Sequence, residues 1–138
     1  MMDRGYNCTQ CMVNYIPAVT AVGHTSIYTG SVPAFHGIVN NSFHINGKST
    51  SAPYDESMET VGSTSKAGKR SPHNMMATTI GDELRMASNF RSKVIGVAIK
   101  DRAAILPAGH SANAAYWLDD SPNDEFIKVL DRNSKAIE

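Results

Sequence analysis

The sequence is poor in several features that assign a protein to a class directly. It has only 2 cysteines in 138 residues, too few for a disulfide scaffold, and its 13 lysines and arginines are balanced by 13 aspartates and glutamates. A nucleic-acid-binding protein needs an excess of basic residues, so the neutral balance argues against that class. No apolar run approaches the roughly 18 residues of a membrane-spanning helix. We therefore expect neither a nucleic-acid partner nor a membrane partner.

The first residues, MMDRGYNCTQC, also lack the basic and then apolar pattern of a secretory signal peptide. We therefore expect either a cytoplasmic chain or a chain whose true N-terminus is missing. The length fits one small domain or part of a larger one. A compact chain of this size can bury about two-thirds of its unfolded surface, so a hydrophobic core is possible.

Hydrophobic periodicity predicts a chain of mixed strands and helices. The segments with the composition of strands are 6–16, 42–45, 92–99 and 114–118. The segments with the period or the end signals of helices are 26–30, 71–88, 103–108 and, weakly, 126–137. The segment SKVIGVAI is apolar nearly throughout, which is typical of a parallel strand buried on both faces. This order of elements predicts an α/β fold with a layered sheet.

Local turn and capping signals set two of the predicted boundaries. The Asn46-Gly47 pair favours a type I′ turn, so the strand 42–45 is predicted to open a hairpin. Ser71 and Pro72 are the residue types of an N-cap and a first helical position, so a helix is predicted to begin there. The segment 47–70 between these signals is rich in Ser, Thr, Gly and Lys, and we interpret it as a long loop.

The two cysteines, Cys8 and Cys11, form a CxxC pattern in the first predicted strand. A closed structural zinc site needs four ligands, and this pair supplies two. A redox-active CxxC lies at the start of a helix, and residues three apart in a strand point to opposite faces. We therefore interpret both residues as ordinary strand cysteines.

Residues 62–69 (GSTSKAGK) match the GxxxxGK pattern of a phosphate-binding loop. That loop continues with Ser or Thr to hold magnesium, but the next residue here is Arg70. It also joins a buried strand to a helix, whereas this segment lies in the predicted long loop. We interpret it as a flexible basic loop. None of the five histidines forms an HxH or HxxxH pair that would suggest a metal site.

The Lys100-Asp101-Arg102 segment lies at the carboxyl end of the strand that looks most buried. Ligands of open α/β sheets bind outside the carboxyl ends of the strands. The lysine offers a point charge and the arginine a bidentate fork, and both suit phosphate or carboxylate. A solvated strand exit with a surface ion pair explains the same residues equally well.

Thr20 lies at the end of a short apolar stretch, just before the turn into the helix predicted at 26–30. A hydroxyl group there faces free backbone N–H groups and the positive end of the helix dipole. This position suits an oxyanion or a nucleophile that attacks a phosphate. A β-branched strand residue or a helix cap is the more ordinary interpretation of the same position.

Several long segments together resemble one family. The segment NYIPAVTAVGHTSIYTGSVPAFHGIVNNSF resembles the nucleophile segment of the alkaline phosphatase superfamily, especially bacterial alkaline phosphatases with a threonine nucleophile and their nucleotide pyrophosphatase/phosphodiesterase relatives. The segments SPHNMMATTIGDELRMAS and FRSKVIGVAIKDRAAILPAGHSANAAYWLD resemble the phosphatase branch. The resemblance runs from about residue 5 to residue 119. It implies a partial alkaline-phosphatase-like sandwich of α/β class, with a mostly parallel sheet that is incomplete.

The resemblance implies roles for four residues. Thr20 matches the threonine nucleophile, and Asn41 matches the phosphate-binding asparagine. Lys100 and Arg102 match a pair that contacts the phosphoryl group and favours monoesters over diesters. The implied activity is that of a zinc-dependent phosphomonoesterase, in which two zinc ions deprotonate the threonine, a phosphothreonine intermediate forms, and a zinc-bound hydroxide releases phosphate.

The resemblance also implies what this chain lacks. The family holds its zinc ions with six Asp and His ligands, and none of these is assigned here. We therefore expect the chain to bind no zinc by itself and to be inactive alone. We expect residues 1–138 to be a single incomplete domain, with a phosphatase-like segment 1–120 and a divergent tail 121–138. The full-length family is periplasmic or secreted, and unpaired sheet edges predict self-association.

A non-catalytic alternative remains open from the sequence. The chain would then be a phosphate- or anion-binding module that keeps a pocket around Lys100 and Arg102 and has lost its metal site. It would fold cooperatively and bind phosphate without zinc.

Overall fold

The computed structural model of the chain describes residues 4–59, 66–118 and 126–130. The helices in these ranges are α1 (Thr20–Thr29), α2 (Pro33–His36), α3 (Ile80–Ala87) and α4 (Asp101–Ala108), with a short 3-10 turn at Lys66–Gly68. The strands are β1 (Ser42–Ile45), β2 (Lys48–Ser51), β3 (Ile95–Val97), β4 (Ala114–Leu118) and β5 (Phe126–Leu130). No helix in the described ranges is long and apolar enough to cross a membrane.

The strands form two separate sheets. β1 and β2 pair antiparallel as a hairpin around Asn46 and Gly47, both of which have positive φ angles, 50° and 77°. The second sheet has the order β3–β4–β5. In it β3 and β4 are parallel, joined by α4, whereas β4 and β5 are antiparallel. The predicted α/β class is therefore confirmed, and the described sheet is mixed.

Two buried clusters hold these elements together. The first joins α4 to β4, through Ala104 and Ile105 on the helix and Ala115 and Trp117 on the strand. The second brings α1 against α4 and includes segments on either side of the hairpin; its members are Ala21, Ile38, Ala52, Met75 and Leu106. Helix α4 takes part in both clusters, so it links the second sheet to the helix α1.

Gly96 explains how α4 comes so close to the sheet. A Cβ atom at this position would overlap the carbonyl oxygen of Ala104 and press on the methyl group of Ala108. A side chain on this face of β3 would push the helix outward. The absence of a side chain at Gly96 therefore lets α4, and Lys100 just before it, lie close to the sheet.

The N-terminal segment is a first correction to the sequence prediction. Residues 6–16 form no strand, and Tyr6, Met12 and Ile16 are largely exposed. The cysteines of this segment therefore do not lie on opposite faces of a strand. Cys8 and Cys11 flank a turn, and both are exposed.

Two helix boundaries are also wrong. The helix predicted at 26–30 begins already at Thr20, although Gly30 ends it as expected, with φ 64°. The helix predicted from Ser71 begins only at Ile80. The backbone N–H groups before it bind elsewhere, since Ser71 donates to the Pro53 carbonyl and Met76 to that of His36.

The strand β3 is shorter and less covered than predicted. It spans three residues, and its alternate positions Ile95 and Val97 are exposed, as is Ile99 just beyond it. Only the face that carries Gly96 is covered, by α4. The prediction of burial on both faces is therefore wrong for the residues described.

Most predictions for local turns and short elements agree with the structure. The hairpin, the helix at 103–108 and the strand at 114–118 are confirmed, with α4 beginning two residues earlier than expected. The long loop contains β2 and the 3-10 turn, and its residues 60–65 lie outside the described ranges. Of the tail, the described residues Phe126–Leu130 are a strand and not a helix. The division into 1–120 and 121–138 stays a prediction.

Candidate functional site

The start of α1 brings two of the predicted site residues together. Thr20 is the first residue of the helix and is half-buried. Val19 precedes it with an extended backbone, and its side chain cannot accept a hydrogen bond. The Asn41 Oδ1 atom instead accepts a hydrogen bond of 2.9 Å from the backbone N–H of Ala21. Residues that are 21 positions apart in the sequence therefore meet at one helix start.

The hydrogen bond also fixes how the Asn41 amide is turned. Because Oδ1 is the acceptor, the Nδ2 group is the free end of the amide, and no described residue accepts from it. One turn further along α1, the Nδ1 atom of His24 lies 2.9 Å from the Thr20 carbonyl oxygen. A carbonyl only accepts, so Nδ1 carries the proton and Nε2 is the remaining acceptor of the neutral ring.

A buried histidine holds the segment that leads to Asn41. The His36 side chain is fully buried, with Nε2 3.0 Å from Ser26 Oγ and Nδ1 accepting a 3.1 Å hydrogen bond from the backbone N–H of Ile38. Burial lowers the pKa of His36, and a hydrogen bond involving its backbone opposes this only in part. The neutral ring ties α1 to the chain just before Asn41. We did not find His36 from the sequence, because its partner Ser26 carries no pattern of its own.

The Lys100-Asp101-Arg102 segment forms the start of α4. Lys100 is exposed and precedes the helix, while Asp101 and Arg102 are its first two residues and are largely buried. Beside them lies an open cleft of about 240 Å³. The cleft is lined by Ala67, Arg70, Ile99, Lys100, Asp101, Arg102, Trp117 and Leu118.

Asp101 contacts both arginines of this cleft. Its Oδ2 atom accepts a 2.8 Å hydrogen bond from Arg70 Nε, and its Oδ1 atom accepts one of 2.6 Å from the backbone N–H of Arg102. The Arg102 Nη1 atom is 3.5 Å from the same Oδ1. Arg102 Nε is buried and has no hydrogen-bond partner in the described ranges. The sequence interpretation missed Arg70, which lies 31 positions from Asp101.

The four predicted site residues thus form two pairs. Thr20 and Asn41 meet at the start of α1, and Lys100 and Arg102 line the cleft at the start of α4. The two helices pack on each other through Ala21 and Leu106. Thr20 and Asn41 are not among the residues that line the cleft.

A third polar cluster, at the start of α3, is structural in character. The buried carboxylate of Asp82 accepts hydrogen bonds from the backbone N–H and hydroxyl groups of Thr79 and of Ser111, and from the backbone N–H of His110. Burial alone would raise the pKa of Asp82, but these hydrogen bonds outweigh it and lower the pKa. Every acceptor site faces a protein donor, so the cluster ties α3 to the loop after α4.

The described residues offer no metal centre. Within 4–59, 66–118 and 126–130, no group of three or more His, Cys, Asp or Glu side chains is placed to hold a metal ion. The two zinc ions implied by the resemblance therefore have no fitting set of ligands among these residues. The GxxxxGK pattern at 62–69 falls partly outside the described ranges, and its final Lys69 is 3.9 Å from Glu56.

This geometry matches solved structures of one enzyme class. The chain superposes on the crystal structure of wild-type alkaline phosphatase PafA with a TM-score of 0.79 and 51% identity, over 83% of this chain and 22% of that chain. A PafA variant with substitutions at one threonine, one asparagine, one lysine and one arginine matches with a TM-score of 0.79, 47% identity and coverage of 83% and 23%. The fold is part of the alkaline phosphatase fold.

Curated relatives agree with the structural match. A protein of Myroides odoratus named calcium-transporting ATPase is 49% identical over 90% of this chain and 23% of its own length. Alkaline phosphatase PhoV of Synechococcus elongatus is 52% identical over 87% and 22%, and alkaline phosphatase PafA of Elizabethkingia meningoseptica is 49% identical over 88% and 23%. The chain thus spans less than a quarter of the length of these relatives.

The family model for type I phosphodiesterase / nucleotide pyrophosphatase matches residues 1–132. The chain belongs to this family. The resemblance inferred from its sequence motifs is therefore confirmed.

Proposed function

We propose that this chain carries the nucleophile and the phosphate-binding groups of a phosphomonoesterase that acts through a phosphothreonine intermediate. In this proposal Thr20 is the nucleophile, and Asn41, Lys100 and Arg102 bind the phosphoryl oxygens. The observation that carries it is the hydrogen bond from the Ala21 N–H to Asn41 Oδ1, 2.9 Å long, which holds an amide donor beside the Thr20 helix start.

The spacing of polar residues in a relative supports the assignment. In the PafA variant, the substituted threonine and asparagine are 21 positions apart, and the substituted lysine and arginine are two apart. Asn41 likewise follows Thr20 by 21 positions, and Arg102 follows Lys100 by two. The same four residue types in the same order and spacing suggest one common group of functional residues.

The charges of the second pair suit a phosphate monoester. A monoester carries a charge near −2 at neutral pH, against −1 for a diester, so two cations favour the monoester. Arg102 has a buried Nε donor with no partner in the described part of the chain, and a phosphoryl oxygen would satisfy it.

The residues of this chain would act as follows. Asn41 Nδ2, the Lys100 ammonium group and the Arg102 guanidinium group would hold the non-bridging oxygens of the ester and balance their charge in the transition state. The Thr20 hydroxyl oxygen would attack phosphorus opposite the leaving oxygen, forming an O–P bond to threonine as the bond to the alcohol breaks. The threonine proton would pass to solvent, and the departing alkoxide would take up a proton from solvent. Water would then cleave the O–P bond, releasing phosphate and restoring the hydroxyl group. The resemblance implies two zinc ions, but the described residues do not fit them, so we assign no step to zinc on this chain.

The same proposal includes location and association. A periplasmic or secreted place for the full-length protein follows from the resemblance alone. Self-association follows from β3, which lies at the edge of the described sheet and exposes Ile95 and Val97. Light scattering on the purified chain measures this directly, and a monomer at all concentrations would contradict it.

A segment exchange tests the nucleophile. Residues of this chain replace the matching segment of alkaline phosphatase PafA, and hydrolysis of p-nitrophenyl phosphate is measured. We expect activity in the chimera, a loss of at least about a thousandfold with Thr20→Ala, partial activity with Thr20→Ser, and no loss with the control Thr50→Ala in the hairpin. A folded chimera that hydrolyses the ester equally well with Thr20→Ala would overturn the proposal.

The purified chain provides a second test. We expect it to hydrolyse no phosphate ester by itself, with or without added zinc. Hydrolysis that required zinc and disappeared with Thr20→Ala would contradict this expectation.

The cleft also supports a second function, a phosphate- or anion-binding module without catalysis. Three cationic side chains, Arg70, Lys100 and Arg102, line this cleft. A module of this kind predicts that inorganic phosphate raises the melting temperature of the chain without zinc, while the PafA chimera folds but does not turn over. Ligand at about 100 times its Kd would add about 2.7 kcal/mol of stability.

A further inference from the structure

The cleft at the start of α4 contains one cation that neither the resemblance nor the relatives assign. Arg70 reaches it from the far end of the long loop, and its guanidinium group lies 5.6 Å from the centre of the Tyr54 ring. Its Nη1 atom donates a 3.0 Å hydrogen bond to the Lys69 carbonyl, and its Nε atom donates to Asp101. Three different residues therefore fix the orientation of this side chain.

The Nη2 group of Arg70 has no hydrogen-bond partner in the described ranges, whereas Nε and Nη1 are both engaged. The side chain is 23% exposed, so it is held at the wall of the cleft and not in bulk solvent. A guanidinium group fixed on two of its nitrogens and open at the third is suited to bind an anion in the cleft.

Asp101 couples this arginine to the proposed phosphate-binding arginine. One carboxylate oxygen receives Arg70 Nε and the other receives the backbone N–H of Arg102, with Arg102 Nη1 at 3.5 Å. The Asp101 side chain is 16% exposed, so solvent screens these contacts only partly. A single carboxylate thus lies in contact with both guanidinium groups.

The charge of the cleft follows from these residues. Its lining has three cations, Arg70, Lys100 and Arg102, and one anion, Asp101. The sum of two positive charges equals the charge of a phosphate dianion in size. Without Arg70 the sum would fall to one, so the preference of the cleft for a dianion over a monoanion would be weaker.

We propose that Arg70 is a specificity-determining residue that favours dianionic phosphate in this cleft, and that Asp101 is the positioning residue that orients Arg70 and Arg102. This inference rests on the proposed function, because it takes the Lys100 and Arg102 cleft as the phosphate site. It adds Arg70 to the proposed phosphate site. It also gives Asp101 a function between Lys100 and Arg102.

The test measures binding of two anions to the full 138-residue chain by titration calorimetry. The probes are inorganic phosphate at about pH 8, where it is mainly dianionic, and dimethyl phosphate, which carries one charge. We expect Arg70→Met to weaken phosphate binding about tenfold and dimethyl phosphate binding less, since it removes one charge-assisted contact. Arg70→Lys keeps the charge and should weaken phosphate binding less than Arg70→Met. The matched control Arg91→Met, at an exposed arginine, should change neither.

Asp101→Asn separates positioning from the plain sum of charges. It makes the cleft more positive, so a charge sum alone predicts tighter phosphate binding. Positioning predicts weaker binding, because both guanidinium groups lose their ionic partner. Tighter binding by this variant would overturn the role of Asp101. If Arg70→Met does not fold, Asp101→Asn and Arg70→Lys still test the roles of Asp101 and Arg70 in phosphate binding.

The outcomes distinguish this inference from the proposed function. If Lys100→Met abolishes phosphate binding while Arg70→Met leaves it within twofold of the unsubstituted chain, the inference about Arg70 fails and the phosphate site stands. If the unsubstituted chain binds no phosphate, or Lys100→Met changes nothing, the phosphate site itself fails. Equal losses of phosphate and dimethyl phosphate affinity with Arg70→Met would overturn the specificity claim.

Discussion

Helices α1 and α3 begin in opposite ways. At α3, Thr79 and Asp82 satisfy each other's backbone N–H groups, so residues three positions apart close the helix start. At α1, the side chain of Val19 offers no acceptor, and the N–H of Ala21 is bound by Asn41 from 20 positions away. Local sequence completes the first start, and tertiary structure completes the second.

The difference separates a helix start built for stability from one suited to binding. Asp82 is 2% exposed, and protein donors already engage its carboxylate oxygens. No ligand is needed there. At α1, Thr20 is half-buried and the Asn41 amide keeps a donor group beside it, which is the arrangement that the proposed anion site requires.

The largest expected effect is at the start of α3, where the Thr79 and Asp82 cap is complete. Asp82→Ala leaves the buried donors of Thr79, His110 and Ser111 without an acceptor, and we expect a loss of about 3 kcal/mol in the free energy of unfolding. Urea denaturation followed by circular dichroism measures it. Glu83→Ala is the control at the exposed neighbour and should stay within about 0.5 kcal/mol. Similar losses for both variants would contradict the special role of Asp82.

Acid should weaken the same cluster. The pKa of Asp82 is lowered in the folded state, because hydrogen bonds from Thr79, Ser111 and His110 outweigh the effect of burial, which alone would raise it. A group of this kind stabilises the fold above its unfolded pKa, and the contribution is lost as pH falls through the folded-state pKa. Unfolding free energy should therefore fall below about pH 4. In Asp82→Asn, the unfolding free energy should depend less on pH, which denaturation curves taken at several pH values measure. An unchanged pH dependence in this variant would contradict the role of the Asp82 carboxylate.

At the start of α1, Asn41→Asp should separate helix capping from phosphate binding. The variant keeps an acceptor for the Ala21 N–H but replaces the amide donor with a negatively charged oxygen. We expect the unfolding free energy to change by less than about 1 kcal/mol and phosphate affinity to fall at least about tenfold. Calorimetry of the chain with inorganic phosphate measures the affinity. Unchanged affinity would show that Asn41 only caps the helix.

The smallest effect is expected from giving α1 a local cap. Val19 has φ −94° and ψ 168°, which suits an N-cap residue, so Val19→Asp should raise the unfolding free energy by about 0.5–1 kcal/mol. The new carboxylate lies beside Thr20 and should weaken phosphate binding. Val32→Asp, at the start of α2, is the matched control and should leave phosphate binding unchanged. Unaltered binding in both variants would contradict an anion site at α1.

Sequence reasoning succeeded where neighbouring residues decide the structure. The Asn46-Gly47 turn, α4 and β4 each follow from a few adjacent residues, and all three are confirmed. It failed at Ser71, which has the residue type of an N-cap, because the backbone there bonds to Pro53 and His36, far away in the sequence. The Thr79 and Asp82 pair, which caps the helix where it does begin, was not identified from the sequence.

The site shows the same division. Thr20, Asn41, Lys100 and Arg102 were proposed from family motifs, and the structure brings them together only as two pairs. Arg70 was not found because its partner Asp101 lies 31 positions away, and no local pattern links them. Contacts between distant residues depend on the packing of α4 against the sheet, which periodicity does not describe.

The remote cap of α1 has a consequence for how the chain folds. Its hydrogen bond joins Ala21 to Asn41, so it forms only when the two ends of a loop of 20 residues have met. Closing such a loop costs entropy before the contact repays it, whereas the α3 cap forms within a single turn. Helix α1, which begins with the proposed nucleophile Thr20, can therefore gain this cap only after the segment that leads to Asn41 has docked.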